Sequence, residues 1–127
     1  MSPRQPSEVR VLVADDLHPD GLELLRERGF EPTVATGLSE DELVERLEGV
    51  QALLVRSATK VTPRVLEAAR DLELVGRAGV GVDNVDLAAA SAQGVVVMNT
   101  PTGNTVTTGE LAISLVCALS RLSLIHI

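Results

Sequence analysis

The chain has 127 residues, which is enough for one α/β domain with its own core and too few for two domains of ordinary size. Its formal charge of -7, from 11 basic and 18 acidic residues, excludes a nucleic-acid surface, because such a surface needs a basic patch. The single cysteine, Cys117, excludes a disulfide framework and offers no metal-ligand spacing, so a cytoplasmic protein is expected. Residues 1–8 contain no apolar stretch and are expected to form a disordered tail rather than a signal peptide.

Strands and helices are predicted to alternate along the chain. Short apolar runs predict five strands, at residues 11–14, 31–35, 51–55, 72–76 and 95–98. Helices are predicted to open at Pro19, at a capping box of Ser39 and Glu42, at Thr62 and at Leu87. This alternation predicts an α/β fold of flavodoxin-like type, with a parallel sheet and helices on both faces.

A longer helix follows and is predicted to run at least to Arg121. Two starts remain open, with Asn104 as the N-cap or with residues 107–110 as a capping box. Residues 111–119 are apolar nearly all round, so this stretch is expected to be covered on every side. A membrane span is disfavoured, because the apolar run is short and Arg121 interrupts it. Residues 122–127 have no cap or turn chemistry and are expected to be a non-native tail.

Candidate binding residues follow the predicted strands, because open α/β sheets bind ligands outside the carboxyl ends of their strands. Arg56 follows the third strand, and its planar guanidinium suits a carboxylate or a phosphate. The alternative is an ordinary exposed arginine at a strand end. Residues 79–81 read Gly-Val-Gly, which predicts an anion cradle or, alternatively, a tight structural turn. Asn84 stands where a third glycine would be, so this loop is not a dinucleotide fingerprint.

Other polar residues carry weaker signals. Asp15 and Asp16 follow the first strand, and residues 99–104 are dense in turn formers, so connecting loops are the simpler interpretation. His18 precedes a proline, and His126 lies in the expected non-native tail. No catalytic residue, acid–base pair or metal site is predicted.

Three stretches together resemble the D-isomer-specific 2-hydroxyacid dehydrogenase family. They are Leu54 to Thr62, Gly76 to Asp86, and Met98 to Thr105 with Glu110 to Ala112 behind it. The likeness covers residues 9–121. It implies that residues 9–103 form an incomplete flavodoxin-like substrate domain and that residues 104–121 begin an interdomain helix leading to a missing NAD-binding domain.

The resemblance also assigns site residues. Those implied to bind the substrate are Arg56, Ser57, Ala78, Gly79 and Val80. Val80 and Asn104 are implied to border the cofactor, NAD. The family's catalytic arginine, glutamate and histidine match nothing in this chain, so the 127-residue form is expected to be inactive.

Within the family, the stretches are most similar to the branch that oxidises 3-phospho-D-glycerate with NAD in serine biosynthesis. The implied partner is therefore a phosphorylated 2-hydroxy acid, with no nucleic acid and no membrane, and the full-length parent is expected to be a homo-oligomer. One alternative is a related dehydrogenase for glyoxylate, hydroxypyruvate or lactate. Another is a non-catalytic, receiver-like binding module with a metal ion at Asp15 and Asp16, which is disfavoured because Arg56 stands where the acceptor aspartate would be.

Overall fold

Five short strands form one parallel sheet in the computed structural model, which describes residues 4–120. The strands are β1 (Val11–Val13), β2 (Thr33–Val34), β3 (Ala52–Val55), β4 (Leu74–Arg77) and β5 (Val96–Asn99). Their order across the sheet is β2-β1-β3-β4-β5. This is the flavodoxin-like order, so the predicted fold class is confirmed.

Five helices connect or follow the strands. They are α1 (Pro19–Glu27), α2 (Glu40–Arg46), α3 (Pro63–Ala68), α4 (Leu87–Ala92) and α5 (Thr105–Ser120). The capping box before α2 is confirmed, because Ser39 Oγ accepts from Glu42 N–H while the Glu42 carboxylate accepts from Ser39 N–H. Thr62 likewise caps α3 through Val65 N–H.

All five strands differ from the predicted bounds by one or two residues at an end, and two of them show the largest differences. The strand predicted at residues 72–76 begins at Leu74, because Leu72 N–H donates to Ala69 O and belongs to the turn that ends α3. The strand predicted at residues 31–35 is only two residues long. Part of the expected tail is folded, since residues 6–8 form a short 3-10 helix. Residues 1–3, the predicted continuation of the long helix to Arg121 and the expected non-native tail at 122–127 lie outside the described residues.

One face of the sheet carries the main core. Buried aliphatic side chains of the strands, such as Leu12, Leu53 and Val75, pack there against residues of α2 and α3, such as Leu43 and Leu66. Burying one such side chain stabilises the fold by about 1.5–3 kcal/mol. The core therefore needs no aromatic residue, and it holds the strand ends at fixed positions.

The other face of the sheet is only partly covered. Val11, Val13 and Ala52 form a smaller cluster there with Leu22 of α1 and with Phe30. At β5 this face is exposed to solvent, with Val96 57% and Met98 58% exposed.

The long helix α5 begins where Asn104 was predicted to cap it. Thr108 N–H donates to Asn104 O at 2.9 Å, which is the first bond of the helix. The alternative start at residues 107–110 is wrong, because they lie inside the helix. The expected cover is not present among residues 4–120, where Val106, Leu111, Ile113, Leu115 and Val116 of α5 are 49–73% exposed. In that same part of the chain, no helix has the length and apolar character needed to cross a membrane.

Candidate functional site

The loops that follow β3, β4 and β5 begin side by side at the carboxyl edge of the sheet. The register pairs Val55 with Arg77 and Arg77 with Asn99. Arg56, the 77–84 loop and the 99–104 loop are therefore neighbours, as the sequence analysis predicted. This edge is the position at which parallel sheets bind ligands.

The loop after β3 is anchored by the carboxylate of Asp15. This buried side chain accepts Arg56 N–H at 2.6 Å, Thr59 N–H at 3.1 Å and the Thr59 hydroxyl at 2.6 Å. Burial raises the pKa of Asp15, but the hydrogen bonds from Thr59 and Arg56, with the Arg56 charge, outweigh it and hold the pKa below its ordinary value. The carboxylate is thus committed to the loop, which argues against the receiver-like alternative.

Arg56 itself reaches into solvent beyond this anchor. Its guanidinium donates to the backbone oxygen of Asp16 at 3.1 Å, and both Arg56 and its neighbour Ser57 are exposed. One arm of the guanidinium is occupied, and its other N–H groups can bind an anion.

The loop at residues 79–81 turns its carbonyl oxygens toward the protein. Gly79 O accepts Thr100 N–H at 3.0 Å, Val80 O accepts the Asn99 amide at 2.7 Å, and Gly81 O accepts the Arg77 guanidinium. Within the described residues, nothing accepts the N–H groups of Val80 and Gly81. Two backbone donors therefore remain for a ligand.

Glycines in this region leave room for side chains that lie close to the backbone. A Cβ at Gly79 would lie 2.7 Å from Arg77 Nη1, whose side chain is only 10% exposed and lies against the loop. A Cβ at Gly76 would lie 2.7 Å from Leu54 Cδ2. Residues 79–81 can therefore be both a tight turn and an anion cradle, because the tight turn leaves the N–H groups of Val80 and Gly81 free.

Asn84 links the two loops, a role that the sequence analysis did not assign to it. Its Nδ2 donates to Arg56 O at 2.6 Å and to Thr59 O at 2.7 Å. In the sequence, Asn84 was notable only for occupying a glycine position of a motif. No local signal could have revealed its partners, because they lie 28 and 25 residues away along the chain.

A groove of about 520 Å³ lies between the loop after β3 and residues 83–86, and Ser57, Lys60 and Asn84 line part of it. A smaller apolar groove of about 280 Å³ lies beside β4 and β5, with Ala78 and Met98 in its wall. Of the implied substrate residues, Ser57 borders the first groove and Ala78 the second, whereas Arg56, Gly79 and Val80 line neither.

The residues implied to border the cofactor are less closely grouped. Val80 is 42% exposed, and Asn104 is exposed at the start of α5. No hydrogen bond joins Asn104 to the Arg56 loop or the 79–81 loop among residues 4–120. In the same range, no three His, Cys, Asp or Glu side chains are grouped so that they could hold a metal ion.

Comparison with known proteins identifies the family. The model of the D-isomer specific 2-hydroxyacid dehydrogenase catalytic domain matches residues 11–125. A D-3-phosphoglycerate dehydrogenase of Archaeoglobus fulgidus is 45% identical over 113 residues, which are 89% of this chain and 21% of that protein. The human D-3-phosphoglycerate dehydrogenase is 46% identical over 112 residues, 88% of this chain and 21% of that one.

Solved structures of the same family share the fold. The NAD+-bound 3-phosphoglycerate dehydrogenase of Entamoeba histolytica superposes with a TM-score of 0.76 at 25% identity, over 87% of this chain and 39% of that one. An NADPH-dependent glyoxylate/hydroxypyruvate reductase of Sinorhizobium meliloti gives a TM-score of 0.74 at 32% identity, over 88% of this chain and 34% of that one.

The chain spans about a fifth of the length of the curated relatives that it matches, 21% in both cases given above. Over that span the family match covers the sheet, the Arg56 loop, the 79–81 loop and the start of α5. The chain therefore belongs to the D-isomer specific 2-hydroxyacid dehydrogenases, and the region described here is part of their catalytic domain.

Proposed function

We propose that this chain is the N-terminal, substrate-binding part of a D-3-phosphoglycerate dehydrogenase, which oxidises 3-phospho-D-glycerate to 3-phosphooxypyruvate with NAD. One observation carries the proposal. An exposed arginine, Arg56, and two free backbone donors, at Val80 and Gly81, follow neighbouring strands of the sheet. The 45–46% identity to enzymes of that name supports this substrate.

The chemistry of these groups suits an anionic 2-hydroxy acid. Arg56 keeps its charge at every physiological pH and can form two parallel hydrogen bonds to a carboxylate or phosphate. The N–H groups of Val80 and Gly81 are fixed by the bonds to their loop's carbonyls, so they are oriented before the substrate arrives. Ser57 and Ala78 would line the remaining contacts.

The cofactor is proposed to meet this chain only at its nicotinamide end. The exposed apolar side chain of Val80 fits a planar ring, and Asn104 stands at the beginning of α5. The sequence has no Gly-x-Gly-x-x-Gly fingerprint to hold a pyrophosphate. Bound NAD would supply the hydride acceptor. His18 follows β1 and not a strand of the site, and the base is therefore proposed to come from another part of the enzyme.

The arrangement of the parent enzyme is part of the same proposal. Residues 9–103 are the substrate domain, incomplete in itself, and residues 104–121 begin the helix that leads to the NAD-binding domain. The parent is a homo-oligomer of the cytoplasm, and the 127-residue chain alone has no dehydrogenase activity.

A second candidate is a glyoxylate or hydroxypyruvate reductase, favoured by the 32% identity to the Sinorhizobium meliloti enzyme. Comparing kcat/KM of the full-length enzyme for 3-phosphoglycerate with those for glyoxylate and hydroxypyruvate separates the two candidates. The phosphoglycerate assignment requires the first value to be the largest.

The role of Arg56 is tested in the same enzyme. Arg56→Ala should raise KM for 3-phosphoglycerate by roughly a hundredfold, because it removes charged hydrogen bonds worth about 1.5–3 kcal/mol each. Arg64→Ala is the matched control, because among residues 4–120 the ion pairs of Arg64 are with Asp41 and Glu40 of α2. Equal KM values for the Arg56 variant and the wild type would refute the proposal.

A further inference from the structure

The loop after β3 is held by two side chains of complementary chemistry, Asp15 and Asn84. The Asp15 carboxylate, which can only accept hydrogen bonds, takes the backbone N–H groups of Arg56 and Thr59. The Asn84 amide nitrogen, which can only donate, binds the backbone oxygens of the same two residues at 2.6 and 2.7 Å. Both ends of the 56–59 turn are thereby fixed through all four of their main-chain polar groups.

The bonds from Asn84 have no substitutes. Among the described residues, no other group donates to Arg56 O or Thr59 O. Asn84 is also fixed from its own side, because its backbone oxygen accepts Val61 N–H at 2.8 Å. Val85, the next residue, pairs with Val61 in an isolated parallel bridge. The amide is therefore held where it can orient the turn.

Asn84 belongs to the segment that contains the 79–81 loop. The strands beneath the two loops are linked where Ala78 N–H donates to Val55 O at 2.9 Å. Beyond the strands, the side chain of Asn84 ties this segment to the 56–59 turn. The separation between the Arg56 guanidinium and the donors of Val80 and Gly81 thus depends on Asn84.

We infer that Asn84 is a positioning residue, which sets Arg56 at the distance from the 79–81 loop that one anionic substrate must span. The inference rests on the proposed function, in which both loops bind that substrate. Asn84 does not touch the substrate's reacting atoms and acts through Arg56. Its loss should therefore weaken binding equally in the ground state and the transition state, which raises KM and leaves kcat nearly unchanged.

The test is a double-mutant cycle in the full-length enzyme, with 3-phosphoglycerate as the substrate. Asn84→Ala removes both donors and should raise KM by up to about thirtyfold, the limit reached if the whole contribution of two neutral hydrogen bonds is lost from binding. In an Arg56→Ala background the same substitution should change KM by less than about threefold, because Arg56 is no longer there to be positioned. If the two substitutions raised KM by independent factors that multiply in the double variant, the inference would be overturned. The role of Arg56 in the proposed function would remain intact.

A second variant and a control separate positioning from general loss of stability. Asn84→Asp has nearly the same shape but turns an acceptor toward two carbonyl oxygens, so it should raise KM at least as much as Asn84→Ala. Gln93 is the control, because it follows α4 and its amide lies beside Leu66 and Glu67 of α3, away from both loops. Gln93→Ala should leave KM unchanged. A fall in kcat at constant KM in the Asn84 variants would indicate a merely structural role and would contradict the inference.

Hydrogen exchange of the 127-residue chain provides a readout that needs no activity. Asn84→Ala should speed exchange of the Arg56 and Thr59 amides about tenfold, while the amides of Val13 and Leu53 keep their protection. Unchanged exchange at Arg56 and Thr59 would overturn the inference, as would equal acceleration in the core. If the full-length enzyme does not turn over 3-phosphoglycerate, the proposed function fails, and exchange alone decides whether Asn84 holds the turn.

Discussion

The hydroxyl of Thr59 donates to the buried carboxylate of Asp15 at 2.6 Å, across 44 residues of sequence. Removing this hydroxyl leaves a buried carboxylate with one hydrogen bond fewer. Thr59→Val should lower the free energy of unfolding by about 1–3 kcal/mol, the usual consequence for an under-satisfied buried acceptor. Thr59→Ser keeps the hydroxyl and should cost less than about 1 kcal/mol. Urea denaturation of the three proteins measures the difference, and equal losses for both variants would contradict the assigned role.

The lowered pKa of Asp15 makes stability depend on pH in a defined direction. The folded chain holds this carboxylate ionised more strongly than the unfolded chain does. The resulting stabilisation is complete above the unfolded pKa of about 3.9 and is lost as the pH falls through the lower folded-state pKa. Urea midpoints measured from pH 7 to pH 2 should therefore decline at the acidic end.

The contribution of Asp15 to that decline can be isolated. The pKa of Glu42 is also lowered, chiefly by its hydrogen bonds to Ser39, so Glu42→Gln is the suitable background. Adding Asp15→Asn to that background should lower stability at pH 7 and flatten the acidic decline. If the acidic decline in stability were equally steep with and without Asp15→Asn, the pKa of Asp15 would be the same in the folded and unfolded chains.

Much of this fold follows from local sequence signals, and the site follows only in part. The capping box at Ser39 and the apolar runs predicted α2 and the sheet, because these patterns act over a few residues. Arg56 and the 79–81 loop were found because they directly follow strands. The tie from Asn84 and the anchor at Asp15 were not found, since their partners lie 25–44 residues away and only the strand order brings them together.

A methyl group at position 76 should strain the sheet. The Cβ of Gly76→Ala would lie 2.7 Å from Leu54 Cδ2 on the neighbouring strand. Overpacking of this kind destabilises by about 1–3 kcal/mol. Adding Leu54→Val, which shortens the neighbour, should recover part of the loss in a double-mutant cycle monitored by urea denaturation.

Gly21→Ala is the matched control for that experiment. Gly21 lies in α1, and a Cβ there meets nothing within 4 Å. Alanine should therefore stabilise the chain by about 0.5–1 kcal/mol through helix propensity. If Gly76→Ala and Gly21→Ala both lowered the free energy of unfolding, the close contact between position 76 and Leu54 would not explain the loss in Gly76→Ala.

The exposed side of α5 should make the 127-residue chain self-associate. Ile113 is 67% and Val116 is 65% exposed, within a helix whose neighbouring apolar residues are exposed as well. Contiguous apolar surface of this kind favours association. Light scattering should give a mass above 13.4 kDa that falls toward the monomer in Ile113→Glu with Val116→Glu. Leu24→Glu, on α1, is the control for an exposed leucine elsewhere, and a monomeric wild type would contradict this prediction.

Asp15 and Asn84 hold the 56–59 turn by hydrogen bonds to its main-chain atoms and to the Thr59 hydroxyl. None of these bonds involves the side chain of Ser57 or Ala58. The conformation of the turn is therefore largely independent of which residues occupy its two middle positions. Substitutions at Ser57 or Ala58 should therefore leave the shape of the turn intact, while the arginine beside them keeps its place. A scaffold of this kind allows contacts at Ser57 to be changed without loss of the turn, while Asn84 both holds the turn and lines the groove.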